Sequence, residues 1–156
     1  MRRARVIAVI GAGSAPAGAL RLAHEVGREI ARRGVTLING GRSGVMEAAA
    51  EGARKLGGHT IGILPSYERS TANRHIEFAI VTGMGEARNA IIVASADAII
   101  ALAGEGGTLA EIGFAMKMNR PIVALQSWPE IAGLHRADTP ADAVALALKL
   151  AGRRGG

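Results

Sequence analysis

The sequence predicts an α/β fold in which helices cover both faces of a parallel β-sheet, and three observations support this prediction. Short apolar runs rich in β-branched residues alternate with segments of helical periodicity along the chain. These runs are continuous rather than alternating, which is typical of parallel strands buried on both faces. Aromatic residues are only 3% of the 156 residues, so the core must be built from Val, Ile, Leu, Met and Ala.

Six runs have the length and composition of buried strands. The first stops at Gly11, and the last follows Pro121. Residues 65–74 have no apolar period and predict a loop. The predicted strands are Arg5–Ile10, Val35–Ile38, His59–Leu64, Ile76–Val81, Asp97–Ala103 and Ile122–Leu125.

Helices are predicted between these strands from apolar residues at three- and four-residue spacing. The first extends from Pro16 to about Arg33 and ends at Gly34. The last begins with Thr139 as its N-cap and Pro140 at its first position. The remaining predicted helices lie over 45–56, within 83–96, and from the TLAEI segment to about 118.

Right-handed crossovers between such strands give a doubly wound, Rossmann-like sheet. We find no linker and no repeat, so the sequence predicts a single domain over 1–156.

Composition and charge exclude several classes of function. The chain has no cysteine, and its four histidines are scattered without ligand spacing, so no metal site is predicted. No apolar stretch approaches a membrane span, and the run Val6–Ile10 is short for a secretory signal. We therefore expect a soluble, cytoplasmic protein with no membrane partner.

The net charge of +6 does not predict a nucleic-acid partner, because much of the excess lies at the two chain ends. No basic run is interleaved with aromatic residues, as a base-stacking surface would require. The terminal arginines, which we expect to be solvated, are Arg2, Arg3, Arg5, Arg153 and Arg154.

Three glycine-rich segments follow predicted strands and precede predicted helices: GAGSAP (11–16), NGGRSG (39–44) and AGEGGT (103–108). Free backbone N–H groups and the positive helix end suit such places to anions. One such loop is as often a tight turn, but three on one rim of a sheet favour a phosphate-bearing ligand. A standard NAD site is disfavoured, because Pro16 replaces the last glycine of the dinucleotide fingerprint and Asn39 stands in place of the acidic residue.

The stretch LAGEGGTLAEIG (Leu102–Gly113) leaves two interpretations of Glu111 open. Thr108 and Glu111 have the spacing of a capping box, which predicts Thr108 as N-cap and Glu111 as part of the cap. Alternatively, Glu111 faces a bound ligand, and a residue can do both. Arg88 likewise has two interpretations, as a solvated helix residue or as an anion-binding group.

Three blocks of the sequence resemble the family that includes molybdenum cofactor carrier proteins. The likeness covers nearly the whole chain, from Arg5 to about Leu125. The broader superfamily includes the Lonely guy nucleoside 5′-monophosphate phosphoribohydrolases, and many members have been called lysine decarboxylases. No lysine here lies in a recognisable pyridoxal phosphate context, so decarboxylation is not predicted. The blocks are GGRSGVMEAAAEGARKLGGHTIGILP (Gly40–Pro65), GEARNAIIVASADAIIALAGEGGTLAEI (Gly85–Ile112) and NRPIV (Asn119–Val123).

The resemblance carries over two motifs of the hydrolases in part. In Pro-Gly-Gly-x-Gly-Thr-x-x-Glu, Ala103 replaces the proline and Glu105 the second glycine. In Met-x-x-Arg-Lys, Arg88 matches the catalytic arginine and Asn89 replaces the lysine, while Arg42 is typical of the carrier-like branch. The positions that match the first motif are Gly104, Gly107, Thr108 and Glu111.

These departures favour a carrier-like binding protein for a phosphate-bearing heterocycle, such as molybdenum cofactor or a nucleotide, with no cofactor required. The alternatives are a phosphoribohydrolase with Glu111 and Arg88 as catalytic residues, and a nucleotide-sensing module. Relatives in the superfamily imply a homo-oligomer, a dimer or tetramer. The predicted ligand-binding residues are Gly11, Gly13, Ser14, Gly40, Gly41, Arg42, Ser43, Gly44, Met46, Arg88, Asn89, Gly104, Gly106, Gly107, Thr108 and Glu111.

Overall fold

All strands of the computed structural model, which describes residues 3–153, belong to one parallel sheet. Their spatial order is β4-β3-β2-β1-β5-β6-β7, so the chain winds outward from β1 in one direction and then in the other. This is the doubly wound, Rossmann-like arrangement predicted from the sequence. The strands are β1 (Val6–Ile10), β2 (Thr36–Asn39), β3 (Thr60–Leu64), β4 (Phe78–Val81), β5 (Ala98–Ala101), β6 (Ile122–Leu125) and β7 (His135–Ala137).

Five α-helices cover the two faces of the sheet. Alternate residues of β1 point to opposite faces, so Ile7 and Val9 join one apolar cluster while Ala8 and Ile10 join the other. The first cluster includes buried residues of α1, α2 and α5, and the second includes those of α3 and α4. The helices are α1 (Ala17–Arg32), α2 (Val45–Lys55), α3 (Asn89–Ser95), α4 (Gly106–Lys117) and α5 (Pro140–Gly152).

The helices α1 and α2 pack closely because glycine stands at their contact. Gly27 of α1 is buried, and a Cβ there would lie 2.9 Å from the carbonyl carbon of Ala49 and from the backbone nitrogen of Ala53. Those atoms belong to the backbone of α2, which cannot move away without shifting the whole helix. The close contact therefore fixes how the loops before both helices lie against each other.

We expect Gly27→Ala to destabilise the fold by about 2–3 kcal/mol, because an added methyl group overpacks a helix contact made by backbone atoms. Gly18→Ala in the same helix is the matched control, since the nearest atom to a Cβ there is the Arg21 Nη2 at 3.8 Å. This control is expected to be neutral or slightly stabilising. Urea unfolding of both variants checks the prediction, and an equal effect at the two positions would contradict it.

The structure corrects four details of the predicted elements, one of which is that the fifth strand covers Ala98–Ala101 rather than Asp97–Ala103. A seventh strand, β7, was missed because its three residues, His-Arg-Ala, carry no apolar pattern. The fourth strand begins at Phe78 rather than Ile76. The segment 83–96 is not one helix: a short 3₁₀ turn over Gly85–Arg88 precedes α3.

The predicted start of the last helix is confirmed, since the Thr139 Oγ1 accepts a hydrogen bond from the backbone N–H of Asp142 at 3.1 Å. Of the terminal arginines, Arg3 and Arg153 are exposed, whereas Arg2 and Arg154 lie outside the described residues. The prediction is wrong for Arg5, which is half-buried because its guanidinium donates to the carbonyl oxygen of Leu148 on α5 at 3.4 Å. Within residues 3–153, no helix combines the length and hydropathy needed to cross a membrane.

Candidate functional site

The three glycine-rich loops meet at the carboxyl edge of the sheet and are hydrogen-bonded to one another. The backbone N–H of Ala12 donates to the carbonyl oxygen of Ala103 at 3.0 Å, which joins the first loop to the third. The N–H of Val45 donates to the Ala12 carbonyl oxygen at 3.0 Å, and the Ser43 hydroxyl donates to the Gly13 carbonyl oxygen at 2.8 Å. The loops are therefore held in one fixed arrangement.

Gly44 makes the close approach of the first two loops possible. Its φ of 68° lies in the left-handed region, and a Cβ there would lie 2.5 Å from the carbonyl carbon of Gly13. Gly44 precedes the first residue of α2 and does not line the cleft described below. Close packing against the first loop, and not contact with a ligand, therefore explains why this position holds a glycine.

Asn39 holds the second loop from inside. This residue is fully buried; its side-chain nitrogen donates to the carbonyl oxygen of Met46 at 2.9 Å, and its side-chain oxygen accepts from the N–H of Gly41 at 2.8 Å. Both side-chain atoms are thus used within the loop. The absence of an acidic residue at this position reflects a structural need for an amide.

A cleft of ≈ 500 Å³ opens between these loops, the 3₁₀ turn and the first turns of α4. This volume lies within the roughly 300–1,000 Å³ that is usual for small-molecule sites. Of the residues predicted to bind a ligand, eleven line it: Gly11, Gly13, Ser14, Arg42, Ser43, Met46, Arg88, Asn89, Gly107, Thr108 and Glu111. The other five, which lie beside the cleft without lining it, are Gly40, Gly41, Gly44, Gly104 and Gly106.

Arg88 is a buried residue of this cleft rather than a solvated helix residue, with only 6% of its surface exposed. Its guanidinium donates from Nη1 to the side-chain oxygen of Asn89. Its Nε has no hydrogen-bond partner within residues 3–153. Burial lowers the pKa of Arg88, while Glu111 and Glu86 oppose that change. A buried cation that lines an open cleft is suited to bind an anion.

Gly40 provides the space that Arg88 occupies. A Cβ at Gly40 would lie 2.7 Å from the Arg88 Nη2 and 2.8 Å from the Met46 Sδ. Gly40 thus acts on the cleft through its neighbour, although it does not line the cleft itself.

The capping-box interpretation of Thr108 and Glu111 is wrong. Helix α4 begins three residues earlier than that interpretation requires, so Glu105 is the N-cap and its side chain makes no cap hydrogen bond. Thr108 and Glu111 lie inside the helix and are 4% and 8% exposed. The two glycines at 106 and 107 adopt helical backbone, which the sequence pattern did not indicate.

Glu111 is a carboxyl group held in a low-dielectric environment. Burial raises its pKa to about 8, and Glu86 adds to the increase while Arg88 opposes it. At neutral pH the carboxyl group is therefore mostly protonated, and it can both donate and accept a hydrogen bond. Strongly shifted carboxyl groups in clefts are typical of functional sites.

Four residues that the sequence interpretation did not assign to the site also line the cleft: Ala12, Pro65, Glu86 and Glu105. Glu86 accepts a 3.4 Å hydrogen bond from the side-chain nitrogen of Asn89. A signal for Glu86 existed, because it lies two residues before Arg88 in a motif that the resemblance singled out. Pro65 gave no chemical signal, since it reaches the cleft only through the position of β3.

Comparison with known proteins gives relatives of two kinds. An uncharacterized protein of Archaeoglobus fulgidus is 44% identical over 138 residues, which are 88% of this chain and 91% of that protein. The cytokinin riboside 5′-monophosphate phosphoribohydrolase of Mycobacterium tuberculosis is 38% identical over 124 residues. That match covers 74% of this chain and spans 66% of the length of the enzyme.

Two solved structures share the fold over their whole length. The molybdenum cofactor binding protein of Rippkaea orientalis superposes with a TM-score of 0.89 at 36% identity, covering 96% of this chain and 99% of that chain. A Moco carrier protein of Chlamydomonas reinhardtii gives a TM-score of 0.88 at 37% identity, covering 97% and 99%.

The glycine-rich blocks that carried the resemblance fall within a match to one family model. That model, of the SLOG cluster4 family, matches residues 4–148. The resemblance to carrier proteins and Lonely guy phosphoribohydrolases is confirmed by these relatives, and the chain belongs to the SLOG cluster4 family.

Proposed function

We propose that this protein is a carrier-like binding protein for a phosphate-bearing heterocyclic ligand, such as molybdenum cofactor or a nucleotide. The observation that carries the proposal is Arg88, a buried cation that lines a cleft bounded by the starts of helices. A phosphate group in the cleft would be bound by its guanidinium. The first turns of α2 and α4, which line the cleft through Met46 and Gly107, add backbone N–H groups and positive dipole ends.

The proposed anion site lies between the first two loops and Arg88. Gly11, Gly13 and Ser14 line one wall of the cleft, with Arg42 and Ser43 beside them. Arg42 is exposed, so it can reach towards a ligand from the rim, whereas Arg88 is fixed. Molybdenum cofactor fits this description as cargo, because it joins a phosphate to a pterin ring. Its phosphate would lie at these loops.

Mass spectrometry of small molecules retained by the purified protein tests the carrier function. We expect a retained phosphate-bearing heterocycle, and a pterin together with molybdenum would identify the cargo as the cofactor. The proposal would be overturned if the purified protein retained no ligand and if neither added nucleoside monophosphates nor inorganic phosphate protected it from heat.

A phosphoribohydrolase is the second candidate function, because the cleft brings Glu111 and Arg88 together and Glu111 serves no cap. Hydrolysis of an N-glycosidic bond develops positive charge on the ribose, which an ionised carboxylate stabilises. In the ligand-free protein Glu111 is mostly protonated at neutral pH, since burial raises its pKa to about 8. The raised pKa of Glu111 therefore favours binding over turnover.

Incubation with AMP, GMP, CMP and UMP, followed by chromatography for free base, separates the two candidates. We expect no release above background. Release that disappears in Glu111→Gln would instead establish the hydrolase.

Gly40→Ala is expected to weaken phosphate-ligand binding about tenfold while the protein stays folded, because the added methyl group displaces the Arg88 guanidinium. Calorimetric titration with GMP and AMP measures the change. Gly106→Ala is the matched control, since no atom lies within 4 Å of a Cβ at that position. Unchanged affinity in the Gly40 variant would show that ligand binding does not depend on the present position of the Arg88 guanidinium.

We also propose a homo-oligomer, in which the outer face of α4 is covered by a second copy. Leu109, Phe114 and Met116 of this helix are 49%, 37% and 50% exposed, which is unusual for large apolar side chains on one helix. Sedimentation analysis decides between a monomer and a dimer or tetramer. The alternative function, a nucleotide-sensing module, would require ligand-dependent association with another protein. The cytoplasmic location expected from the sequence stays a prediction.

A further inference from the structure

The carboxyl group of Glu111 lines the cleft without a partner of its own. Glu111 is 8% exposed, and within residues 3–153 its side chain takes part in no ion pair and no hydrogen bond. The side-chain hydrogen bonds at the cleft join Arg88 to Asn89 and Asn89 to Glu86 instead. Its oxygens are not among the fully enclosed side-chain atoms that lack a partner, so the cleft is what reaches them.

The groups around Glu111 determine the cost of ionising it. The other charged residues that line the cleft are Glu86 and Arg88 in the 3₁₀ turn, Arg42 in the second loop and Glu105 before α4. The elements on which α4 packs, α3, β5 and β6, contain no charged residue. Arg88 favours the ionised carboxylate, but burial and Glu86 outweigh it, and the pKa rises to about 8. The neutral carboxyl group is thus the stable form at neutral pH.

An anion in the cleft makes the ionisation of Glu111 still less favourable. A phosphate bound by Arg88 adds a negative charge near the carboxyl group, and a like charge raises the pKa of a carboxyl group. The phosphate also engages the guanidinium that would otherwise stabilise the carboxylate. By linkage, a ligand that favours the protonated form is itself bound more tightly by that form.

We propose that the cleft binds its phosphate-bearing ligand together with one proton, which the Glu111 carboxyl group holds. This inference rests on the proposed function and adds a proton to the ligands of the same site. The protonated carboxyl group can donate a hydrogen bond and carries no charge, so it does not repel an anionic ligand. The bound ligand also withholds the carboxylate that hydrolysis of an N-glycosidic bond would need. The affinity is highest where Glu111 is protonated and falls as the pH rises above about 8.

Calorimetric titration of the full-length protein with AMP at pH 7.5, 8.5 and 9.5 tests the inference. The AMP phosphate is a dianion throughout this range, because the second pKa of a phosphate ester is about 6. Each titration is repeated in two buffers that differ in ionisation enthalpy, which gives the number of protons taken up. A nearby charge changes the pKa of a carboxyl group by about one unit or more. We therefore expect an uptake of about half a proton per AMP at pH 8.5 and an affinity about sixfold lower at pH 9.5 than at pH 7.5.

Glu111→Gln keeps the size and the hydrogen-bonding capacity of the protonated side chain but cannot titrate. This variant should bind AMP without proton uptake and with the same affinity at the three pH values. Glu130→Gln, which changes an exposed glutamate that does not line the cleft, is the control and should keep the wild-type uptake.

Two sets of results separate this inference from the proposed function. Wild-type binding without proton uptake at pH 8.5, or the same uptake in Glu111→Gln, would overturn the inference and leave the proposed function standing. Binding of neither AMP nor inorganic phosphate at any of the three pH values would overturn both. The wild-type measurement does not depend on how well the variants fold.

Discussion

Arg88→Met is expected to lower the affinity for GMP and AMP about 100-fold, the largest effect on binding that we predict. The variant removes a charge-assisted hydrogen-bond donor from the proposed anion site and keeps the unbranched apolar part of the side chain. Stability should be unchanged or higher, because the buried guanidinium has an unpartnered Nε and its pKa is lowered by burial. Calorimetric titration and urea unfolding measure the two quantities.

The control is Arg33→Met, which removes the same charge from an exposed position at the end of α1. That position lies at the opposite edge of the sheet from the cleft. Equal losses of affinity in the two variants would mean that net charge, and not the site, holds the ligand. An unchanged affinity in the Arg88 variant would remove Arg88 from the site.

Glu111→Gln is expected to have the largest effect on stability, and this effect depends on pH. The folded-state pKa of Glu111 is raised to about 8, above the ordinary value of 4.5. The stability that the protonated group contributes is therefore present below pH 4.5 and is lost as the pH rises towards 8. The glutamine variant has no such loss. The free energy of unfolding of the variant minus that of the wild type should therefore increase by on the order of 4 kcal/mol from pH 5 to pH 8.5.

Urea unfolding of the wild type and the variant at the two pH values provides the test. Glu130→Gln is the control, because this glutamate is exposed and does not line the cleft. A difference between wild type and Glu111→Gln that is the same at both pH values would show that the carboxyl group is not buried as described.

Much of the fold could be predicted because its strands are buried on both faces. Continuous apolar runs such as Val6–Ile10 leave little ambiguity, and the glycine and proline signals limit the helices between them. β7 could not be predicted in the same way, since it is an edge strand whose His-Arg-Ala sequence is positioned by pairing with β6. Tertiary contacts, not local pattern, define that strand.

The candidate site was predictable in its loops and less so in its side chains. Three glycine-rich segments after parallel strands must meet at one edge of the sheet, and they do. Local pattern was misleading at Thr108 and Glu111, whose spacing fits a capping box although α4 starts at Gly106. The part that Glu105 has in lining the cleft was less visible, because its loop reaches the 3₁₀ turn of Glu86 only when α4 packs beside α3.

The central claim is that the first two glycine-rich loops and Arg88 bind an anionic group together. A crystal structure of the protein soaked with GMP tests it most directly. We predict the phosphate between the Gly11–Ser14 loop, Arg42 and Arg88, within hydrogen-bond distance of the Arg88 guanidinium. A phosphate bound elsewhere, with no contact to that guanidinium, would contradict the claim.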